Sequence, residues 1–294
     1  MTRTAALASA SAGLLVSAIV GSACTHAPGT APAAPAAPAA TRVPAAIGET
    51  LVLESKLLGE RRVINVYVPP GYATSSARYP VLYMPDGGLA EDFPHVVGSV
   101  DVSIKNAVIR PVIVVGIENT VRRRDLVGPS QVASDLEIAP NAGGADRFRA
   151  FLRDELKPMI AATYRTTAES AIIGESLAGL FVVETFVNEP TLFDGYIAAS
   201  PSVWWNEQAL VRSASVRLAW WTAGPKSVYL ATADEEGMQE GVEILTTALH
   251  IQVPAGVTWR YEPMPDEQHG TIFPRAALRG IRWLFAAPPD PAGR

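Results

Sequence analysis

The sequence has a single cysteine, Cys24, among its 294 residues. One cysteine excludes a disulfide framework within the chain and a cysteine-rich zinc site. Basic residues are not in excess either, because 24 Lys and Arg face 29 Asp and Glu, for a formal charge of −5. Phosphate binding needs clustered Lys and Arg, so this balance argues against nucleic acid as a partner. The hydrophobic fraction of 48% is instead typical of a chain that buries a large core.

A long apolar run suited to a membrane span is also lacking. Residues 5–20 are apolar or small, but this stretch is too short and too rich in Ala and Ser for a good transmembrane helix. With a basic residue before it and small residues after it, residues 1–24 have the pattern of an export signal. We therefore expect an exported protein.

The position of Cys24 predicts a lipid anchor. It directly follows the small residues and resembles the acylated cysteine of bacterial lipoproteins, although Gly21 stands where Leu is usual. An ordinary cleaved signal with an incidental cysteine is the alternative. Residues 25–46 are rich in Pro and Ala and are expected to form an extended tether. The prediction is a periplasmic lipoprotein, in contact with the membrane only through Cys24, with one folded domain over residues 47–294.

Strand and helix patterns alternate along that domain. Short apolar, β-branched runs bounded by Pro, Gly or Asp predict strands over residues 62–68, 80–84, 112–117, 171–174, 196–200, 228–231 and 257–261. Apolar residues at three- and four-residue spacing predict helices over residues 148–160, 177–187, 242–249 and 274–285. The alternation indicates an α/β fold with a mainly parallel sheet and helices on both faces. Binding sites in such sheets lie at the carboxyl ends of the strands.

A candidate nucleophile stands at one of these strand ends. Residues 172–179 read Ile-Ile-Gly-Glu-Ser-Leu-Ala-Gly, which matches Gly-x-Ser-x-Gly except that Ala178 holds the last position. A sharp turn from strand to helix would expose the Ser176 hydroxyl above the sheet. The amino end of the helix would aim the Leu177 N–H at a developing oxyanion. The alternative is a Gly-Ser turn with no function.

A serine nucleophile needs a base, and His269 is the best placed of the four histidines. It follows the last predicted strand and precedes the last helix, which gives the chain order serine, acid, histidine. His26 lies in the tether, and His250 ends a helix, where the helix dipole favours it. His95 is expected either to line the pocket or to be exposed.

The orienting acid is expected after residues 228–233, where Asp234-Glu235-Glu236 stands. We expect one of the three carboxylates to be buried and functional and its neighbours to face water. The second oxyanion N–H is expected after residues 80–84, from Gly88 or, as second choice, Gly87. A plain glycine turn is the alternative there.

Two further motifs each leave two interpretations open. Arg124 closes a run of three arginines, which either binds an anionic or oxygen-rich substrate or forms a solvated basic turn. Trp204 and Trp205 either wall an acyl or aromatic pocket or pack in the core.

Taken in order, these segments resemble the putative esterase (esterase D) family of α/β-hydrolases, nearest its enterochelin and siderophore-trilactone esterase branch. The residues that carry the resemblance are 79–87, 115–120, 173–180, 193–205, and His269 with 278–285. The resemblance implies an α/β-hydrolase fold and an ester hydrolase with a Ser-His-acid arrangement and no cofactor. In relatives, the acid comes three residues after a glycine. Ala233 replaces that glycine here, so the resemblance implies Glu236 as the acid. If the alignment is shifted one strand turn earlier, it implies Asp234 as the acid instead. Some relatives use a Ser-His pair without a protein acid.

We therefore expect a serine esterase that acts on a carboxylic ester, such as a siderophore lactone or an acyl ester, with Ser176, His269 and Glu236 as its triad. Leu177 and Gly88 would hold the oxyanion, and neither a cofactor nor a metal is expected. The alternatives are an acyltransferase on the same scaffold, resembling the mycolyltransferases, and a catalytically silent binding lipoprotein.

Overall fold

An eight-stranded sheet organises the residues that the computed structural model describes, 46–222 and 224–288. Its strands are β1 (Glu49–Ser55), β2 (Glu60–Tyr67), β3 (Tyr79–Pro85), β4 (Ile113–Ile117), β5 (Thr166–Glu175), β6 (Gly195–Ala199), β7 (Lys226–Thr232) and β8 (Val257–Pro263). The spatial order is β1-β2-β4-β3-β5-β6-β7-β8. The predicted export signal, Cys24 and nearly all of the tether lie outside the described residues.

Strand direction follows the predicted α/β pattern. From β4 to β8 every neighbouring pair is parallel, whereas β2 is antiparallel to both β1 and β4. The sequence patterns did not predict β1, an edge strand whose residues are mostly exposed or half-buried. The mainly parallel sheet is confirmed, and it brings the carboxyl ends of β3 to β8 to one edge.

Helices cover both faces of the sheet. They are α1 (Phe93–Lys105), α2 (Arg122–Asp125), α3 (Ala133–Ile138), α4 (Ala145–Phe151), α5 (Lys157–Thr163), α6 (Leu177–Asn188), α7 (Ala209–Arg212), α8 (Ala214–Ala219), α9 (Glu236–Ile251) and α10 (Ile272–Leu284), with a π-helical turn, Leu152–Leu156, between α4 and α5. Side chains of α1 and α10 pack in one hydrophobic cluster, and those of α4, α6 and α9 pack in another. Among the residues described, no helix is long and apolar enough to cross a membrane.

A buried arginine ties β2 to the helices that follow β4. Arg62 is 1% exposed, contacts Asp125 and lies 2.8 Å from Glu60 Oε1. Its guanidinium also lies over the Phe148 ring, 5.3 Å from the ring centre. Arg124 joins the same network, with Nε 2.6 Å from Asp125 Oδ1 and Nη2 2.6 Å from Glu60 Oε1. Since Glu60 and Asp125 contact its guanidinium, Arg124 has a structural role in this network, which argues against the substrate contact that the sequence left open.

Candidate active site

The turn between β5 and α6 holds Ser176 at a positive φ, with φ 58° and ψ −120°. The turn is tight, since a Cβ placed on Gly174 would lie 2.6 Å from the Ala178 backbone. The Ser176 N–H donates to Ala199 O at 3.1 Å, and Ser202 N–H donates to Ser176 O at 3.0 Å. Local sequence therefore builds the predicted strand-turn-helix, with the extra methyl of Ala178 buried inside it.

His269 lies within hydrogen-bond distance of the serine. Its Nε2 is 3.0 Å from Ser176 Oγ, although the two residues are 93 positions apart in the chain. The histidine sits on the loop between β8 and α10, as the sequence predicts. If Nε2 accepts the hydroxyl proton, the imidazole carries its own proton on Nδ1. That tautomer suits a base that removes the serine proton.

The carboxylate beside Nδ1 belongs to Glu235. Its Oε1 lies 2.5 Å from His269 Nδ1, although the N–H does not align with the oxygen as in a regular hydrogen bond. Asp234 is exposed, and its backbone N–H donates to Glu267 O. Glu235 is not the residue expected from the sequence: the expected acid was Glu236, whose side chain lies outside what the structure describes, with Asp234 as the alternative. Helix α9 begins at Glu236, which leaves Glu235 as the last extended residue before the helix.

A second carboxylate, that of Glu175, approaches the same imidazole from the other side. Glu175 Oε1 is 3.5 Å from His269 Nε2, and the side chain is 18% exposed. Burial raises the pKa of Glu175 to about 7, with Asp86 and Asp92 adding to the effect and Arg122 opposing it. The Gly-x-Ser motif contained this residue, but nothing in the sequence showed that it would be buried next to the base.

Asp86 and Arg122 form a clamp beside the site that sequence reasoning missed. Arg122 Nε and Nη2 each donate to one carboxylate oxygen of Asp86 at 2.7 Å, and Asn119 Nδ2 donates to Oδ1 at 2.5 Å. Asp86 itself has a φ of 55° at the end of β3. The run of three arginines was the available signal, but its first member, not its last, approaches the site.

The N–H groups of Leu177 and Gly88, the two expected oxyanion donors, differ in whether another acceptor already occupies them. Leu177 is the first residue of α6, so its N–H has no acceptor within the helix. The Gly88 N–H donates to Glu91 Oε2 at 2.7 Å, and the Gly87 N–H donates to Ile117 O at 3.0 Å. Gly87 is thus tied to the sheet, which corrects its place as second choice. Gly88 becomes available only if the Glu91 side chain turns away.

The tryptophan pair packs in the core. Trp205 is 5% exposed and donates through Nε1 to Gly128 O at 3.1 Å. Trp204 is half-buried against the same hydrophobic cluster. The core interpretation of both residues is therefore favoured over the pocket-wall interpretation.

A pocket of about 330 Å³ opens beside the imidazole. It is lined by Asp92, His95, Glu175, His269, Gly270, Phe273 and Pro274. His95 is exposed at its rim, whereas His250 lies in the last turn of α9 against Trp259. Within residues 46–222 and 224–288, no group of three or more His, Cys, Asp or Glu side chains is arranged to hold a metal ion.

Known proteins resemble this chain in sequence. The family model described as "Putative esterase" matches residues 55–243. Ferri-bacillibactin esterase BesA of Bacillus subtilis (strain 168) is 27% identical over 260 residues, which cover 79% of this chain and 87% of BesA.

Solved structures show the same architecture. An IroE-like serine hydrolase from Shewanella oneidensis superposes with a TM-score of 0.75 at 27% identity, covering 81% of this chain and 80% of the other. Siderophore hydrolase EstB from Aspergillus nidulans gives a TM-score of 0.70 at 23% identity, over 86% of this chain and 99% of the other. The second match supports the fold alone.

Proposed function

The chain belongs to the Putative esterase family, has the α/β-hydrolase fold and is a serine ester hydrolase, and we propose that Ser176, His269 and Glu235 form its catalytic triad. One observation carries the proposal: Ser176 Oγ lies 3.0 Å from His269 Nε2 at the apex of a tight strand-to-helix turn. This is the nucleophile-base contact that acyl transfer to a serine requires.

In the proposed reaction, Ser176 attacks the ester carbonyl while His269 takes the hydroxyl proton at Nε2. The Glu235 carboxylate holds the imidazole and stabilises the imidazolium that forms. The Leu177 N–H donates to the oxyanion of the tetrahedral intermediate. His269 then returns the proton to the leaving alcohol, and water releases the acyl group by the same steps.

The substrate class is proposed from the relatives. BesA is named for a ferri-bacillibactin ester, and the Aspergillus nidulans protein is named a siderophore hydrolase. We propose that this chain likewise hydrolyses an ester bond of a siderophore or of a compound with similar ester linkages. The named relatives are esterases and hydrolases, which favours water over an alcohol as the acyl acceptor.

The test of the triad is a comparison of Ser176→Ala with Ser202→Ala. Ser202 is a matched control because it is buried and its Oγ lies 3.4 Å from Ser176 Oγ. A fluorophosphonate probe should label wild type and Ser202→Ala but not Ser176→Ala. Hydrolysis of a panel of esters, ferric siderophores included, should fall by several orders of magnitude in Ser176→Ala, because a triad acts as a unit. Activity of Ser176→Ala within tenfold of wild type would place the nucleophile elsewhere.

The anchor at Cys24 remains a proposal from the sequence. Two acyl chains at this residue would hold the domain stably at a membrane, whereas one chain binds only marginally. The Cys24→Ser variant should therefore appear in the soluble fraction while wild type sediments with membranes. Wild-type protein that is already soluble in the periplasm or medium would contradict the anchor.

A further inference from the structure

A buried asparagine holds the peptide group that carries the Gly88 N–H. Asn65 lies on β2, is 1% exposed and donates through Nδ2 to Gly87 O at 2.9 Å. Its Oδ1 accepts the Thr50 hydroxyl at 2.7 Å. Because a carbonyl oxygen can only accept a hydrogen bond, the amide nitrogen of Asn65 has to face Gly87. Asn65 thus connects the sheet to the loop that follows β3.

The sheet leaves room for this contact at Gly116. This residue of β4 pairs with Asn65, and a Cβ on it would collide with Gly87 O. The Gly87 N–H donates to Ile117 O at 3.0 Å. Both backbone polar groups of Gly87 are therefore bonded, one to a side chain of β2 and the other to the backbone of β4. The position of Gly87 is set by the sheet.

The direction of the Gly88 N–H follows from that of the Gly87 carbonyl. The two groups belong to one planar trans peptide, in which the C=O and the N–H point in opposite directions. Because Asn65 holds the Gly87 oxygen towards β2, the Gly88 N–H points away from β2. A peptide between two glycines lacks the Cβ atoms that normally limit backbone rotation, so it turns over easily unless another group holds it.

A carboxylate oxygen already occupies this N–H. Glu91 Oε2 accepts from the Gly88 N–H at 2.7 Å, and Glu91 Oε1 accepts from Asn119 Nδ2 at 2.9 Å. A Cβ on Gly88 would lie 2.9 Å from Glu91 Oε2, so the absence of a side chain lets the carboxylate come close. A developing oxyanion has the same requirement, because it needs an unhindered N–H directed at a charged oxygen.

The loop with this donor lies beside the nucleophile. Strands β3 and β5 are parallel neighbours in the sheet. Gly88 comes shortly after β3 ends and Ser176 comes directly after β5 ends, so both stand at the same edge of the sheet. Asp92, at the end of the Gly88 loop, lines the pocket beside His269. Of the two glycine N–H groups in this loop, that of Gly88 is the one not bonded to the sheet.

We propose that Asn65 is a positioning residue of the oxyanion hole: it keeps the Gly88 N–H turned into the site, where the substrate oxyanion displaces Glu91 and takes this N–H as its second donor. The inference rests on the proposed function, because it requires an ester carbonyl attacked by Ser176. Asn65 does not touch the substrate and acts only through the peptide between Gly87 and Gly88. Glu91 competes with the substrate for the donor.

Two substitutions should act in opposite directions. In Asn65→Leu the peptide loses its anchor, so kcat should fall by about 10² while KM stays within about threefold of wild type, because an oxyanion donor acts in the transition state. In Glu91→Ala the donor is freed from its competitor, and kcat/KM should rise about fivefold. The double variant should resemble Asn65→Leu, because removing the competitor does not restore a donor that has turned away. A purely structural role of the two residues would instead lower activity in both single variants.

Matched controls separate this role from a contribution to stability. Thr50→Val removes the other hydrogen bond of Asn65, at an exposed position of β1, and should keep the wild-type kcat. Glu54→Ala removes a carboxylate from the same strand, also at an exposed position, and should keep the wild-type kcat/KM. Titration with a fluorophosphonate counts the active molecules of each protein, so a misfolded fraction does not alter kcat. Glu91→Ala changes a half-buried loop residue, and its result stands even if Asn65→Leu does not fold.

Inhibition by phenylboronic acid gives a readout without turnover. Boron bonds to Ser176 Oγ while His269 takes the hydroxyl proton, and the adduct is a tetrahedral anion whose oxygen can accept from the oxyanion donors. Its Ki should rise about tenfold or more in Asn65→Leu and should fall in Glu91→Ala. If kcat and Ki of Asn65→Leu stay within about threefold of wild type, or if Glu91→Ala is no more active than wild type, the proposal is wrong while ester hydrolysis stands. Failure of the fluorophosphonate to label wild-type Ser176 would instead overturn the proposed function, and this inference with it.

Discussion

Replacing Glu175 by Gln should stabilise the fold at alkaline pH and have a much smaller effect at acid pH. The pKa of the carboxyl group is raised from 4.5 to about 7, first by burial and then by neighbouring carboxylates. The folded state therefore binds this proton more tightly than the unfolded state does. The stability that this proton contributes is fully present below about pH 4.5 and is lost as the pH rises through about 7.

The size of the effect follows from the two pKa values. Each unit by which the folded and unfolded pKa values differ is worth 1.36 kcal/mol. Between pH 5 and pH 8, the wild type should therefore lose roughly 2–3 kcal/mol of unfolding free energy relative to Glu175→Gln. Gln keeps the shape of the side chain but cannot ionise. At about 2–4 °C per kcal/mol for a domain of this size, the melting temperatures should diverge by roughly 5–10 °C over that interval.

Urea unfolding of wild type, Glu175→Gln and Glu54→Gln at pH 5, 6, 7 and 8 measures the difference directly. Effects of titrating groups that do not interact with the substituted residue are shared by the three proteins and cancel when the curves are subtracted. The Glu54→Gln curve should run parallel to that of wild type, because the Glu54 side chain is exposed. If the Glu175→Gln curve is parallel as well, the argument that Glu175 is a destabilised buried carboxylate is wrong.

Two other substitutions probe the site and its support. Glu235→Gln should lower kcat/KM by about 10²–10⁴, because the imidazole loses its orienting carboxylate. Asp234→Asn should change kcat/KM little. The reverse ranking of the two variants in steady-state kinetics would contradict the assignment of Glu235. Arg62→Ala should lower the free energy of unfolding by about 3–5 kcal/mol, because it leaves the buried Asp125 carboxylate without one of its partners. Arg61→Ala, on the exposed side of β2, should change the free energy of unfolding little in the same denaturation assay.

Sequence patterns over short stretches predicted the part of the site that neighbouring residues in the chain form. The strand, the turn at Ser176 and the helix after it depend on small residues and apolar neighbours within about ten positions, and the structure has all three. The loop of His269 was predicted for a similar reason, because it lies between a strand and a helix that both have clear patterns. The edge strand β1 was missed because its exposed and half-buried residues carry no strong apolar run.

The identity of the acid could not be predicted in the same way. Asp234, Glu235 and Glu236 have similar chemistry, and their roles depend on the residue at which α9 begins and on where a loop from the far end of the chain places His269. A shift of one residue at the start of the helix would aim a different carboxylate. Likewise, the capture of the Gly88 N–H by Glu91 depends on a side-chain conformation that residue spacing does not specify.

The central position of β5 has a consequence for how activity appears during folding. This strand pairs with β3 on one side and β6 on the other, and the histidine that meets Ser176 arrives only after β7 and β8 have extended the sheet. Such long-range parallel pairing is intrinsically slow, because loop closure precedes the contacts that stabilise it. Reaction of Ser176 with a fluorophosphonate during refolding should therefore lag behind the recovery of helical circular dichroism, so that covalent labelling reports completion of the sheet.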